Sequence, residues 1–181
     1  MAFLTEDELK NVGFKSYGSN VLISDKASIY SPETISIGSH VRIDDFCLLS
    51  GDITLGNYIH ISAYSALYGK LGIEMEDFTG LSPRCTIFSA SDDFGGEYMI
   101  SPMVPDEFTN VNGGKVTIKR FSQVGAGTVI LPNVTLDEGT AIGAMSLVKT
   151  NTEEWSIFGG CPALFIKQRK KNILNLYESI K

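Results

Sequence analysis

Histidine is nearly missing from this chain, with only His40 and His60 among 181 residues. A zinc centre held by three imidazoles is thereby excluded. Cysteine is almost as scarce: Cys47, Cys85 and Cys161 are odd in number and stand in no CxxC spacing, so neither a disulfide framework nor a thiolate zinc site is expected. Basic charge is short as well, since 15 Lys and Arg against 21 Asp and Glu leave a net charge of −6. That is the wrong sign for a phosphate backbone or an anionic lipid surface. No apolar run approaches the roughly 20 residues of a spanning helix, and the N-terminus shows no basic start followed by an apolar stretch and a small-residue cleavage site. The expectation is a cytoplasmic chain with no metal and with neither nucleic acid nor membrane as partner.

What is present is a repeat. Large aliphatic residues recur every six positions as Ile37, Ile43, then Leu55, Ile61, then Met75, Leu81, and again as Ile118, Val124, Ile130, Leu136, Ile142 and Val148. The fifth position of most units is small or β-branched, as in Val41, Cys47, Ser65, Thr79, Cys85, Thr128 and Ser146. Equivalent positions such as 37 and 55, or 124 and 142, lie 18 apart, so three hexads make one coil of a three-sided prism. Positions one and five then face inward and stack along the axis. Cys47 and Cys85 read as core filler. Gly38, Gly56, Gly125 and Gly143, at position two, are expected to provide the tight corner torsions.

The rhythm breaks twice. Between 55 and 75 the step is 20, placing a two-residue corner insertion near Gly69–Gly72. From Met75 to Ile118 it is 43, equal to two coils plus 7 or one coil plus 25, and the intervening stretch is rich in glycine and proline. A loop that long in a compact domain is usually functional or disordered. The chain divides into a helix and lead-in over 1–19, a parallel β-helix over 20–160 with a loop at 88–115, and a turn and helix over 161–181. Thr5 with Glu8 forms a capping box for the first helix. Ile166, Lys170, Ile173, Leu174, Tyr177 and Ile180 have helical spacing at the other end, their apolar stripe suited to packing on the coil or a neighbouring chain. Lys167, Arg169, Lys170 and Lys171 are either a solvated face or an anion site.

The repeat, with IGAMSLVK and FGGCPALFIKQR, resembles the hexapeptide-repeat acyltransferases. More narrowly, VRIDDFCLLSG, HISAYSALYG, SASDDF and VGAGTVILPNVTL resemble the branch of sugar O-acetyltransferases and N-acyltransferases of nucleotide-linked amino sugars. The resemblance covers about residues 20 to 170. It implies an all-β, left-handed parallel β-helix, a homotrimer, and acyl-CoA lying between adjacent prisms. It also implies cofactor contacts at Gly125, Ala126, Gly143 and Ala144, with Lys149, Lys167 and Arg169 near the nucleotide phosphates.

Many members of that family carry a catalytic histidine in a loop reading Thr-Ala-x-His, whereas this chain reads Ser89-Ala90-Ser91-Asp92. An aspartate of ordinary pKa, about 3.9, is a feeble base toward a hydroxyl. It suits an amine better, because it attracts the ammonium form and takes the more acidic proton of the tetrahedral intermediate. N-acylation of a nucleotide-linked amino sugar for surface polysaccharide is therefore favoured over O-acetylation of a sugar hydroxyl. Ser82, or a backbone amide near Gly125 or Ala126, is a candidate to hold the acceptor or the oxyanion. His60 is the remaining base if the acceptor is a hydroxyl. Tyr64 and Tyr68 are candidates for stacking on sugar or base, and Asp93 and Glu97 for binding the amino sugar. Against each stands a plain surface role. A non-catalytic scaffold is the competing class; an ice-binding prism would show a uniform outward array that these mixed positions lack.

Overall fold

The computed structural model describes residues 2–180. Three faces of short parallel strands wind about one axis. The first face stacks residues 21–23, 41–43, 59–61, 80–81, 123–124, 141–142 and 156–159. The second stacks 28–30, 48–50, 66–68, 86–88, 129–130 and 147–148. The third stacks 16–17, 35–37, 53–55, 73–75, 116–118 and 135–136. The second and third are joined, because strands Leu48–Leu55 and Ala66–Met75 run through the corner between them.

The inward aliphatics are fully withdrawn from water: Ile43, Leu49, Ile61, Leu67, Ile87, Ile118, Ile130 and Leu136 all have no exposed surface. Each such side chain contributes about 1.5–3 kcal/mol of burial. The small fifth position has a second use beyond filling space. Its hydroxyl or thiol donates to backbone carbonyls near the corners, as Thr128 Oγ1 does to Gly143 O at 3.2 Å and Cys85 Sγ to Gly125 O at 3.3 Å. These fifth-position polar atoms, buried between coils, are thus satisfied.

The corner torsions fall elsewhere than expected. Positive φ belongs to position four, occupied by His40, Phe46, Tyr58, Tyr64, Phe78, Arg84, Phe121, Asn133, Gly127, Gly139 and Met145. Gly38 and Gly125, at position two, have no positive φ; a Cβ on Gly125 would sit 2.5 Å from Ala144 N, so glycine is required there by close approach of the next coil. Side chains of position four stack along the corners. His40, Tyr58, Phe78 and Phe121 form a ring ladder with successive centroids 4.7, 4.6 and 5.5 Å apart, continued by Trp155.

Pairing resolves both breaks. Gly51 pairs with Gly69 but Ile53 with Ile73, so two residues are inserted in that corner, as the sequence indicates. Met75 pairs directly with Ile118, and Ile87 with Ile130, so the long step is one coil plus a single excursion. The excursion is pinched at its neck by the antiparallel pair Ala90–Ser91 and Asn112–Gly113. Buried Ser89 reinforces the neck, accepting from Leu71 N at 2.8 Å and donating to Tyr68 O at 3.0 Å.

The N-terminal helix Glu6–Val12 starts with the expected capping box of Thr5 and Glu8. The C-terminal helix is shorter than the spacing suggests, running over Asn172–Glu178. Ile166 lies instead in a strand, Leu164–Gln168, which folds back antiparallel on Ser156–Gly159. That pairing satisfies the outer edge of the first face, which a helix would leave open. Tyr177 meets Phe78 and Phe121 edge-on at 5.2 and 5.5 Å. No helix among the described residues is long and apolar enough to cross a membrane.

Candidate active site

Register builds two columns of outward residues. Ser24, Asp44, Ser62, Ser82, Gly125 and Gly143 each follow a paired aliphatic of the first face, so they line one corner from bottom to top. Phe88, Leu131 and Lys149 follow Ile87, Ile130 and Val148, and line the next corner.

Each column borders a cleft. The first cleft, about 690 Å³, is lined by Arg42, His60, Ser82 and Gln123 beneath the rings of Tyr58 and Phe78. His60 Nε2 lies 2.9 Å from Asp44 Oδ2, and Arg42 Nε donates to Asp44 Oδ1 at 2.7 Å. The Asp44 side chain is only 10% exposed while that of His60 is 50% exposed. Burial pushes the Asp44 carboxyl up, but hydrogen bonds from Arg42 and His60, together with their charge, outweigh it and hold the pKa below the ordinary value. The second cleft, about 590 Å³, is lined by Phe88, Asp92, Phe94, Leu131, Pro132 and Lys149. Asp92 is exposed there at the loop's neck, beside a mostly apolar wall.

Ser82 and His60 therefore share one cleft, and Asp92 and Lys149 share the other. Lys149 does not join the corner of Gly125 and Gly143. The Gly125 and Gly143 amides are used by the coil, donating to Ile142 O and Phe158 O at 2.8 Å each. Those of Ala126 and Ala144 donate to no acceptor among the described residues. Among the described residues no three His, Cys, Asp or Glu side chains gather to hold a metal ion.

No family model matches the chain. It is, however, 46% identical over 179 residues to a dTDP-4-amino-4,6-dideoxy-D-glucose acyltransferase of Escherichia coli, covering 97% of this chain and 93% of that one. The chain belongs to the hexapeptide-repeat acyltransferases. It also superposes on AntD, an N-acyltransferase from Bacillus cereus. A serine-to-alanine variant of AntD with dTDP-4-amino-4,6-dideoxyglucose and coenzyme A gives a TM-score of 0.96 at 49% identity, covering 99% of this chain and 97% of that one. An aspartate-to-alanine variant with dTDP and coenzyme A gives 0.96 at 50%, covering 98% and 96%. AntD with dTDP and 3-hydroxybutyryl-CoA gives 0.95 at 50%, covering 98% and 95%.

For a hexapeptide-repeat acyltransferase, several residues singled out in the sequence turn out to serve the scaffold. Arg169 donates through one guanidinium nitrogen to Phe121 O at 2.7 Å and Gly139 O at 2.9 Å, which pins the terminal strand, and burial lowers its pKa. Asp93 accepts from the backbone N–H groups of Gly95, Glu97 and Tyr98 at 2.7–2.8 Å, which fixes the loop and holds its carboxyl below the ordinary range. Glu97 is exposed on that loop. Tyr64 stacks on Phe46, with centroids 5.0 Å apart, and has the Arg84 guanidinium 5.8 Å from its ring, while remaining exposed. Tyr68 stacks on Phe88 at 5.1 Å. Lys167 is exposed on the returning strand.

Three residues of the first cleft escape sequence reading: Arg42, Asp44 and Gln123. The signal was present in one of them. Position two of the neighbouring hexads in that column is Ser or Gly, and Asp44 alone breaks the pattern with a charge.

Proposed function

We propose that this chain transfers an acyl group from acyl-CoA to the amino group of a nucleotide-linked amino sugar, dTDP-4-amino-4,6-dideoxyglucose, in the making of surface polysaccharide. The observation that carries the reading is a spacing. The AntD variants altered a serine and, ten positions later, an aspartate, and Ser82 and Asp92 keep that interval here within an alignment of nearly the whole chain. Asp92 also stands where a hydroxyl-activating histidine of the wider family would be.

In this reading the amine nitrogen attacks the thioester carbonyl and a C–N bond forms. Asp92 takes the proton from nitrogen, the C–S bond breaks, and the coenzyme A thiolate leaves and is protonated. Ser82 Oγ, which has no partner among the described residues, holds the thioester or its oxyanion. The free Ala126 and Ala144 amides take the pantetheine arm, and Lys149 the cofactor's anionic end. Acetyl and 3-hydroxybutyryl are the donors to compare.

Since Ser82 and Asp92 line separate clefts of one chain, a second copy completes the site, which fits the homotrimer that the family resemblance implies. Three free cysteines suit the reducing cytoplasm. The test incubates the protein with acetyl-CoA or 3-hydroxybutyryl-CoA and either the amino sugar or its hydroxyl counterpart, following free thiol and product mass. Transfer to the amine, falling about 10²-fold or more in Asp92→Asn, is expected. Transfer to the hydroxyl alone, or full activity in Asp92→Asn, overturns the reading.

A further inference from the structure

The first cleft contains an arrangement the acyl transfer itself does not require. Asp44 is nine-tenths buried and has both carboxylate oxygens engaged, one by Arg42 and one by His60, so the imidazole is fixed in direction. With the carboxylate accepting from Nε2–H, the neutral ring leaves the Nδ1 lone pair as an acceptor. The residue stacked over His60 in the next coil is Gly80, which contributes no side chain. Gln123, one coil further, closes that gap, its Oε1 lying 2.7 Å from where a Cβ on Gly80 would be. An acceptor, an amide and the Ser82 hydroxyl thus surround a space walled by Tyr58 and Phe78 and large enough for a sugar ring. With Arg42 engaged by Asp44 and the rings stacked on one another so that only their edges meet the cleft, the imidazole, amide and hydroxyl match the hydroxyls of a carbohydrate.

We propose that His60, oriented by Asp44, accepts a hydrogen bond from the sugar hydroxyl adjacent to the reacting amine and so selects the acceptor, with Asp44 as a positioning residue and Asp92 left as the base. This rests on the amino-sugar reading above. In Asp44→Asn the amide carbonyl must face Arg42 and its NH₂ must face Nε2, which drives the ring proton to Nδ1 and converts the acceptor into a donor.

The test measures kcat/KM for dTDP-4-amino-4,6-dideoxyglucose and for the analogue lacking the hydroxyl beside the amine. The wild type is expected to prefer the parent by about 10- to 100-fold, a site built around a hydroxyl being left with an unpaired group when that hydroxyl is missing. His60→Ala and Asp44→Asn should erase the preference with the KM for acyl-CoA unchanged. His60→Asn, whose carbonyl stands in for the Nδ1 lone pair, should keep part of it. In Asp44→Asn the imidazole ¹⁵N resonances should report the exchanged tautomer. Preference persisting in His60→Ala overturns the proposal, as does an equal loss of kcat on both substrates with a displaced pH profile, which would make His60 the base. A wild type that acylates neither sugar removes the underlying functional reading before any variant is made.

Discussion

Arg169 offers a sharp test of scaffold against cofactor. Its guanidinium bridges two carbonyls of one corner, Phe121 O at 2.7 Å and Gly139 O at 2.9 Å, from a part-buried position. Its own N–H donates to Trp155 O at 2.7 Å, so side chain and backbone together fasten the strand Leu164–Gln168 to the coil. Hydrogen bonds to a charged donor contribute about 1.5–3 kcal/mol each, and two of them sharing one nitrogen give about 2–4 kcal/mol in all. Arg169→Ala should therefore raise the opening equilibrium of the C-terminal segment by about 30- to 1000-fold, because each 1.4 kcal/mol is about a factor of ten. Arg169→Lys, which reaches one carbonyl, should lose roughly half that free energy. Amide hydrogen exchange across residues 156–168 reads this directly, while amides of the lower coils, such as Leu49 and Leu67, should exchange as in the wild type because a solenoid is stabilised between neighbours. Unchanged exchange in Arg169→Ala together with a raised KM for acyl-CoA would refute the argument and return Arg169 to the phosphates.

Other outcomes follow from the same geometry. Gly125→Ala, whose added Cβ would stand 2.5 Å from Ala144 N, should lower stability by about 1–3 kcal/mol by denaturant titration, whereas Gly13→Ala, with nothing near its Cβ, should show only the smaller effect of its positive φ. Leu67→Ala, in a fully buried site, should cost about 2–5 kcal/mol. Burial raises the Cys47 and Cys85 thiols to about 11, so brief alkylation of the native protein near pH 8 should yield one adduct, at exposed Cys161, and three after unfolding. Asp44 is held below its unfolded value, so its contribution is present above about pH 4 and disappears as pH falls through the folded pKa; the urea midpoint of Asp44→Asn should fall less steeply from pH 5 to pH 3 than that of the wild type.

The coil was legible in the sequence because a six-residue aliphatic period is imposed by the core itself: every Ile, Leu or Val at position one must point inward. Both insertions could be sized from the same period, although only pairing of Met75 with Ile118 decided between the two ways of dividing the long step. The hand of the coil was not legible, since strand register is the same for either. Corner chemistry misled because glycine has two distinct uses. The sequence shows that Gly125 must be small, but not whether torsion or contact demands it, and the left-handed torsion sits two residues on, under Gly127. Site residues were read singly. Asp92 stood out by replacing an expected histidine, yet the Arg42–Asp44–His60 set spans two coils and becomes visible only when Arg42 and His60 are paired across the sheet. Arg169 and Asp93 show a complementary point: a charged residue in a suggestive motif can also bond the backbone close to hand, Arg169 through one guanidinium nitrogen and Asp93 through both carboxylate oxygens.

The excursion leaves the second face after Phe88 and the third face resumes at Val116 against Ile73 with no slip of the ladder. To the rods on either side, the interruption is mechanically silent. Its neck is held by two short strands and Ser89, so residues between 92 and 111 can be lengthened, shortened or exchanged without retuning the prism. Such a chassis lets natural variation, or an engineer, alter the loop while the stacked coils stay as they are.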